Sequence, residues 1–152
     1  MFHIFKLLLS LFIVFGTSRC GTNESFMEGS ESKVTLKYPK RKTNISIVAR
    51  VWGVSGNHEM TTISVVDGKQ LDSFKAQIFY TSEIYYCAIS DSILLVYAPK
   101  SSFSTLLDSI GNVELKVIPI NNAATLDSLA KNYQSKGLLR LSAYNDKGNR
   151  GR

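Results

Sequence analysis

Phe103-Ser104-Thr105-Leu106-Leu107-Asp108-Ser109-Ile110 is the stretch on which the fold class turns. Phe103, Leu106, Leu107 and Ile110 recur at i, i+3, i+4 and i+7, the spacing of one face of a short helix. Ser101 or Ser102 suits its start and Gly111 its end. Upstream of it the chain reads with the two-residue period of strands. Downstream the two periods alternate.

Among the upstream strands, Ile45, Ile47, Ala49 and Val51 alternate with Ser46, Val48, Arg50 and Trp52. Residues 61–66 are rich in β-branched side chains, and Asp67-Gly68 follows as a tight-turn signal. Phe74, Ala76, Ile78 and Tyr80 form one face of a further strand, with Lys75, Gln77 and Phe79 opposite. Strand-like runs at 84–89 and 93–97 flank Ser90-Asp91-Ser92, a second hairpin signal, and Pro99 stops the latter run. Downstream, Val113, Leu115 and Val117 alternate with Glu114 and Lys116. Leu126, Leu129, Ala130 and Tyr133 share a helical face, with Asn122 or Thr125 as cap and Gly137 as stop. Leu139, Leu141 and Ala143 then alternate with Arg140, Ser142 and Tyr144. The expected class is α+β: an antiparallel sheet of about six to eight strands with two helices on one face. A β-sandwich carrying short helices is the alternative.

The first twenty residues carry a different signal. Lys6 precedes the apolar run Leu7-Leu8-Leu9-Ser10-Leu11-Phe12-Ile13-Val14-Phe15, and Gly16-Thr17-Ser18-Arg19-Cys20 closes it. A positive head, a short apolar core and a small-residue exit make an export signal, too short to span a bilayer comfortably. The organisation expected is a signal at 1–19, a polar Ser/Gly-rich tether at 20–32, one domain at 33–144 and a disordered tail at 145–152. Of the 152 residues, 44% are hydrophobic, which suits one globular domain.

Phe15-Gly16-Thr17-Ser18-Arg19-Cys20 resembles the lipobox that ends the signal of bacterial lipoprotein precursors. Arg19 stands where a small residue is usual, and Thr17 where Leu is commonest. The resemblance covers only the first twenty-five residues and implies lipidation of Cys20, hence a membrane-anchored envelope protein. A plain secretory signal cut before Arg19 is the competing reading, giving a soluble secreted or periplasmic protein. Cys20 is then free to form a disulfide with Cys87, the one other cysteine.

The formal net charge is +6, and removing Lys6 and Arg19 with the signal leaves +4. The excess sits at Lys33, Lys37, Lys40, Arg41 and Lys42 and in the tail, and reads as solvated surface. Nucleic acid is not an expected partner, because no interleaved basic and aromatic motif accompanies an export signal. Ser55-Gly56-Asn57-His58 spells the letters of a hydrolase family that disperses them over four blocks, with its nucleophile in a Gly-Asp-Ser that is missing here. Gly56-Asn57-His58-Glu59 resembles one block of the calcineurin-like metallophosphoesterases, whose other metal-binding blocks are also missing. No cofactor, metal or catalytic set is therefore expected, and His58 reads as a turn residue. Asn23-Glu24-Ser25 and Asn44-Ile45-Ser46 fit the N-glycosylation sequon.

Trp52, Phe79 and Tyr85 form the candidate binding patch, since Phe79 and Tyr85 fall opposite the best apolar alternation. The expected function is an exported, lipid-anchored envelope protein that binds or holds a protein or glycan. A secreted inhibitor or immunity-type protein acting through a loop such as Lys37 to Lys42 is one alternative. A small hydrolase with dispersed residues around His58 is the other.

Overall fold

The computed structural model describes residues 29–53, 56–67, 70–71 and 75–144. The leader, Cys20, most of the stretch read as a tether and the tail lie outside these residues, as do Ser55, Gly68 and Phe74. The described residues form strands β1 (Ser30–Tyr38), β2 (Thr43–Trp52), β3 (His58–Asp67), β4 (Gln70–Leu71), β5 (Gln77–Phe79), β6 (Glu83–Ser90) and β7 (Ile93–Pro99). Then come β8 (Ser109–Ile110), β9 (Val113–Ile120), the helix α1 (Ala123–Asn132) and β10 (Leu139–Ser142).

The strands make two sheets. In the first, β1, β2 and β3 pair antiparallel, and β3 then pairs with β5 along Thr61–Ile63 and with β4 at Val66 and Asp67. In the second the order is β10-β6-β7-β9-β8, antiparallel except for the parallel β7–β9 pair. Ile45, Ile47, Ala49 and Val51 of β2 face inward, as their alternation predicts. They share one core with Ile84 and Tyr86 of β6, Leu94, Val96 and Ala98 of β7, and Val113 and Leu115 of β9. Each such fully buried aliphatic side chain stabilises the fold by about 1.5–3 kcal/mol.

Both hairpin signals correspond to pairings. Asp67 pairs with Gln70, which leaves a two-residue connection, and Ser90 pairs with Ile93 after a register shift at Ile89. Strand β1 begins at Ser30, within the stretch read as tether. Its Glu31, Lys33, Thr35 and Lys37 are exposed, while Val34 and Leu36 between them are half-buried against the core.

The expectation of two helices on one face of a single sheet is overturned. One α-helix is present among the described residues, and the helix read over residues 103–110 does not form. Three of its four apolar residues still turn inward, along an extended path, while Leu106 is exposed. Phe103 packs edge-on against Phe79 with ring centroids 5.6 Å apart, Leu107 is half-buried against the core, and Ile110 is buried in β8. The reason lies in Gln77, a buried side chain on β5. Its Oε1 accepts from the Leu107 N–H at 2.9 Å and its Nε2 donates to the Thr105 carbonyl at 3.1 Å. The backbone groups that a helix would pair internally are thus held from outside, in a segment whose Ser and Thr residues already compete with helix formation. An eight-residue helix is marginal in water and gives way to such partners. Gly111, read as a helix stop, instead takes φ +57° in the tight connection between β8 and β9.

The second helix signal is realised in α1. Asn122 Oδ1 accepts from the Thr125 N–H at 2.8 Å, and Gly137, at φ +69°, ends the 3-10 turn that follows. Leu129 of α1 packs with Tyr85, Ile120 and Leu138 on the outer face of the second sheet, with Leu126, Tyr97 and Tyr133 beside them. Helix α1 therefore covers the side of that sheet turned away from the first.

Candidate binding face

With the second sheet enclosed between the first sheet and α1, the outer face of the first sheet is the broad surface over which no described element packs. Strand register lays it out in rows. Trp52 lies opposite His58, then Glu31, Arg50 and Met60 align. Lys33, Val48, Thr62 and Ile78 form the next row, and Thr35, Ser46 and Ser64 the one after. All sit on the parity opposite to the inward Ile45, Ile47 and Ile63, because successive side chains of a strand point to opposite faces.

The middle of this face is a shallow trough of about 240 Å³ lined by Val48, Arg50, Met60, Thr62, Ser64, Ala76 and Ile78. Small side chains make its floor, with Ser64 buried there; Ser46, opposite Ser64 on β2, is also buried and its hydroxyl has no hydrogen-bond partner. Its walls are the longer Met60, Ile78 and the Arg50 stem. Arg50 Nε lies 2.6 Å from Glu31 Oε2, but both side chains are about half exposed, 49% and 46%. Such a pair contributes at most about 1 kcal/mol and orients Arg50 more than it stabilises the fold.

The three residues of the expected patch are not brought together. Trp52 is 42% exposed at one end of the face, its ring stacked on His58 at 5.7 Å. Phe79 is fully buried between the sheets. Tyr85 is buried beneath α1, 5.5 Å from the Tyr133 ring, with its hydroxyl donating to Glu83. Burial first, and then that bond to Glu83, pushes the Tyr85 phenol well above its ordinary value. Glu83 in turn meets Arg140 at 2.7 Å. Of the patch, only Trp52 stays accessible. Cys87 is a half-buried free thiol packed with the α1 cluster, while Cys20 lies outside the described residues.

The strand parity at β5 explains the miss. Ile78 and Tyr80 were expected inward and Phe79 outward; the reverse holds, because Gln77 is drawn in to clamp residues 105–107 and carries Phe79 with it. Ile78 and Tyr80 consequently face out, and Met60, Thr62 and Ser64 join them from β3. The alternation of Ser46, Arg50 and Trp52 along β2 was the one signal in the sequence that pointed to this face.

His58 is exposed and its ring lies on Trp52. The neighbouring Glu59 carboxylate is engaged elsewhere, accepting from Ser82 N–H at 3.1 Å and from the Tyr144 hydroxyl at 3.0 Å. Among the described residues no group of three or more His, Cys, Asp or Glu side chains stands where it could hold a metal ion. The basic β1–β2 turn is a single 3-10 turn at Pro39–Arg41, with Lys40 paired to Asp91 of the β6–β7 hairpin. Among the described residues no helix is long and apolar enough to cross a membrane. No protein-family model, curated protein or solved structure matches the chain.

Proposed function

We propose that this is an exported envelope protein, held at a leaflet by lipidated Cys20, whose domain binds a partner protein through the outer face of its first sheet. The trough lined by Met60, Thr62 and Ile78 carries this reading. It is too small and open for a typical small-molecule site, since those enclose about 300–1,000 Å³. Its apolar walls and hydroxyl floor suit a few side chains of an apposed protein segment, which would exclude water from Met60 and Ile78.

Two experiments bear on the two halves. Fatty-acid analogue labelling in vivo is expected to modify the wild type and spare Cys20→Ser; equal labelling defeats the anchor. A photo-crosslinking amino acid at Thr62 is expected to capture one discrete protein in intact cells, and the product to disappear when Met60→Asp and Ile78→Asp are added. A product that survives both substitutions, or one given equally by a crosslinker at Lys116, defeats the trough.

A further inference from the structure

Among the described residues the most exposed aromatic rings lie toward one end of the domain, with Trp52 and Tyr144 at that end and Tyr80 one row in, level with Met60. Trp52 closes β2, Tyr80 follows β5, and Tyr144 reaches back to Glu59 beside His58; they are 42%, 70% and 50% exposed. The chain enters the domain at this same end. Ser30 pairs with Val51, and a Cβ added to Gly29 would lie 3.1 Å from that of Trp52. Whatever precedes residue 29 therefore leaves the domain beside Trp52.

Only residues 21–28 separate Cys20 from Gly29. On the tether reading of these residues, a segment of that length has an end-to-end distance of about 15–18 Å. A domain of this size has a radius of gyration of about 13 Å, so the tether is shorter than the domain is wide. An anchor at Cys20 accordingly holds the Trp52 end against the leaflet. Trp and Tyr are the side chains that favour that depth, an apolar ring below and a polar tip in the headgroups. The basic cluster Lys40, Arg41 and Lys42 lies at the other end of β1, about 30 Å away by strand rise, so that cluster takes no part in the contact.

We infer that Trp52, Tyr80 and Tyr144 form an interfacial surface that sits among the lipid headgroups of the anchoring leaflet. The strands of the first sheet then rise from the membrane, and the trough stands upright just above it. This rests on the lipid-anchor reading of Cys20.

Trp52 is the only tryptophan of the chain and reports directly. The full processed chain, purified from its membrane with the lipid attached, is reconstituted into phosphatidylcholine vesicles carrying lipids brominated at shallow or deep positions. Co-flotation and Trp52 emission are read together. The expected result is flotation, a blue-shifted emission and stronger quenching by shallow than by deep bromines. Tyr80→Glu is expected to float equally and to lose most of the quenching. A chain that floats with unquenched Trp52, or whose quenching survives Tyr80→Glu, overturns the orientation and leaves the anchor standing. A chain that does not float overturns both.

Discussion

Replacing Gln77 by Met is the sharpest probe of how this fold is decided. Met nearly conserves volume and flexibility, so the change removes hydrogen bonds without opening a cavity. Three bonds are lost: from Leu107 N–H at 2.9 Å, and to the carbonyls of Thr105 and Ile78 at 3.1 Å each. Ile78 keeps its place in the β3–β5 pairing, so the cost falls on residues 105 and 107. A buried backbone group left without a partner costs about 1–3 kcal/mol. Leu107 is half-buried and Thr105 exposed, so the two together come to about 3 kcal/mol rather than the upper bound. The apolar side chain that replaces the amide offsets about 1 kcal/mol. The net expectation is a destabilisation of about 2 kcal/mol in urea unfolding, with the midpoint lowered and the slope unchanged. Native-state hydrogen exchange gives the residue-level reading: the Leu107 amide loses protection well beyond the global change, while Val96 in the centre of β7 follows the global change alone. A stability within 0.5 kcal/mol of wild type, or a Leu107 amide no faster relative to Val96 than before, would refute the claim that Gln77 holds residues 103–108 extended.

Gly111→Ala is expected to cost at least about 1–2 kcal/mol for the left-handed backbone alone, because residue 111 holds φ +57°. A further cost comes from a Cβ placed 2.8 Å from Val65 Cγ2, and thermal unfolding followed by circular dichroism reads the sum. Alkaline pH is expected to unfold the domain through its buried phenols. Burial raises Tyr38, Tyr85 and Tyr86 above their ordinary value of 10.0, so the stability tied to their protonated forms is whole below pH 10 and is lost as pH climbs through the raised folded values. Tyr85→Phe should flatten the fall of stability above pH 10, and a fall as steep as that of wild type would count against the Tyr85 contribution. Met60→Asp and Ile78→Asp, both on the open face, are expected to leave urea stability within about 0.5 kcal/mol of wild type. That separates loss of partner capture from loss of fold.

Much of the strand content was legible because it rests on period-two alternation that burial enforces. Ile45 to Val51 and Val113 to Leu115 place their apolar residues inward as read. Helix α1 was legible for a second reason, the agreement of a local cap at Asn122 with an apolar stripe. The segment 103–110 had the stripe without the means to keep it helical. Its stripe is equally satisfied by an extended chain that turns Phe103, Leu107 and Ile110 inward, and the choice was made by Gln77, some thirty residues away. A polar residue reads locally as an outward position, so the same glutamine inverted the apparent parity of β5. That inversion took Phe79 out of the candidate patch and put Ile78 into the trough. Tyr85 was lost to the patch for another reason: which face of the second sheet α1 covers depends on tertiary placement, and alternation assigns residues to faces without saying what lies over them.

The position of the binding face follows from the mixed strand directions. A parallel pair such as β7–β9 belongs in a sheet covered on both sides, and here the first sheet and α1 supply the two covers. The first sheet is antiparallel throughout and can leave one face to water. Its open face would be expected to carry polar residues alone, as it does along β1 with Glu31, Lys33, Thr35 and Lys37. Across β2, β3 and β5 that rule is broken by Met60 and Ile78, which stay partly exposed beside small hydroxyl side chains, while Val48 is buried. Met60 and Ile78, next to a strand that keeps polar patterning, are the departure on which the proposed partner site rests. The charged β1 column beside it guards the edge of the sheet against pairing with another chain, so on the proposed reading a partner meets the trough and not the edge.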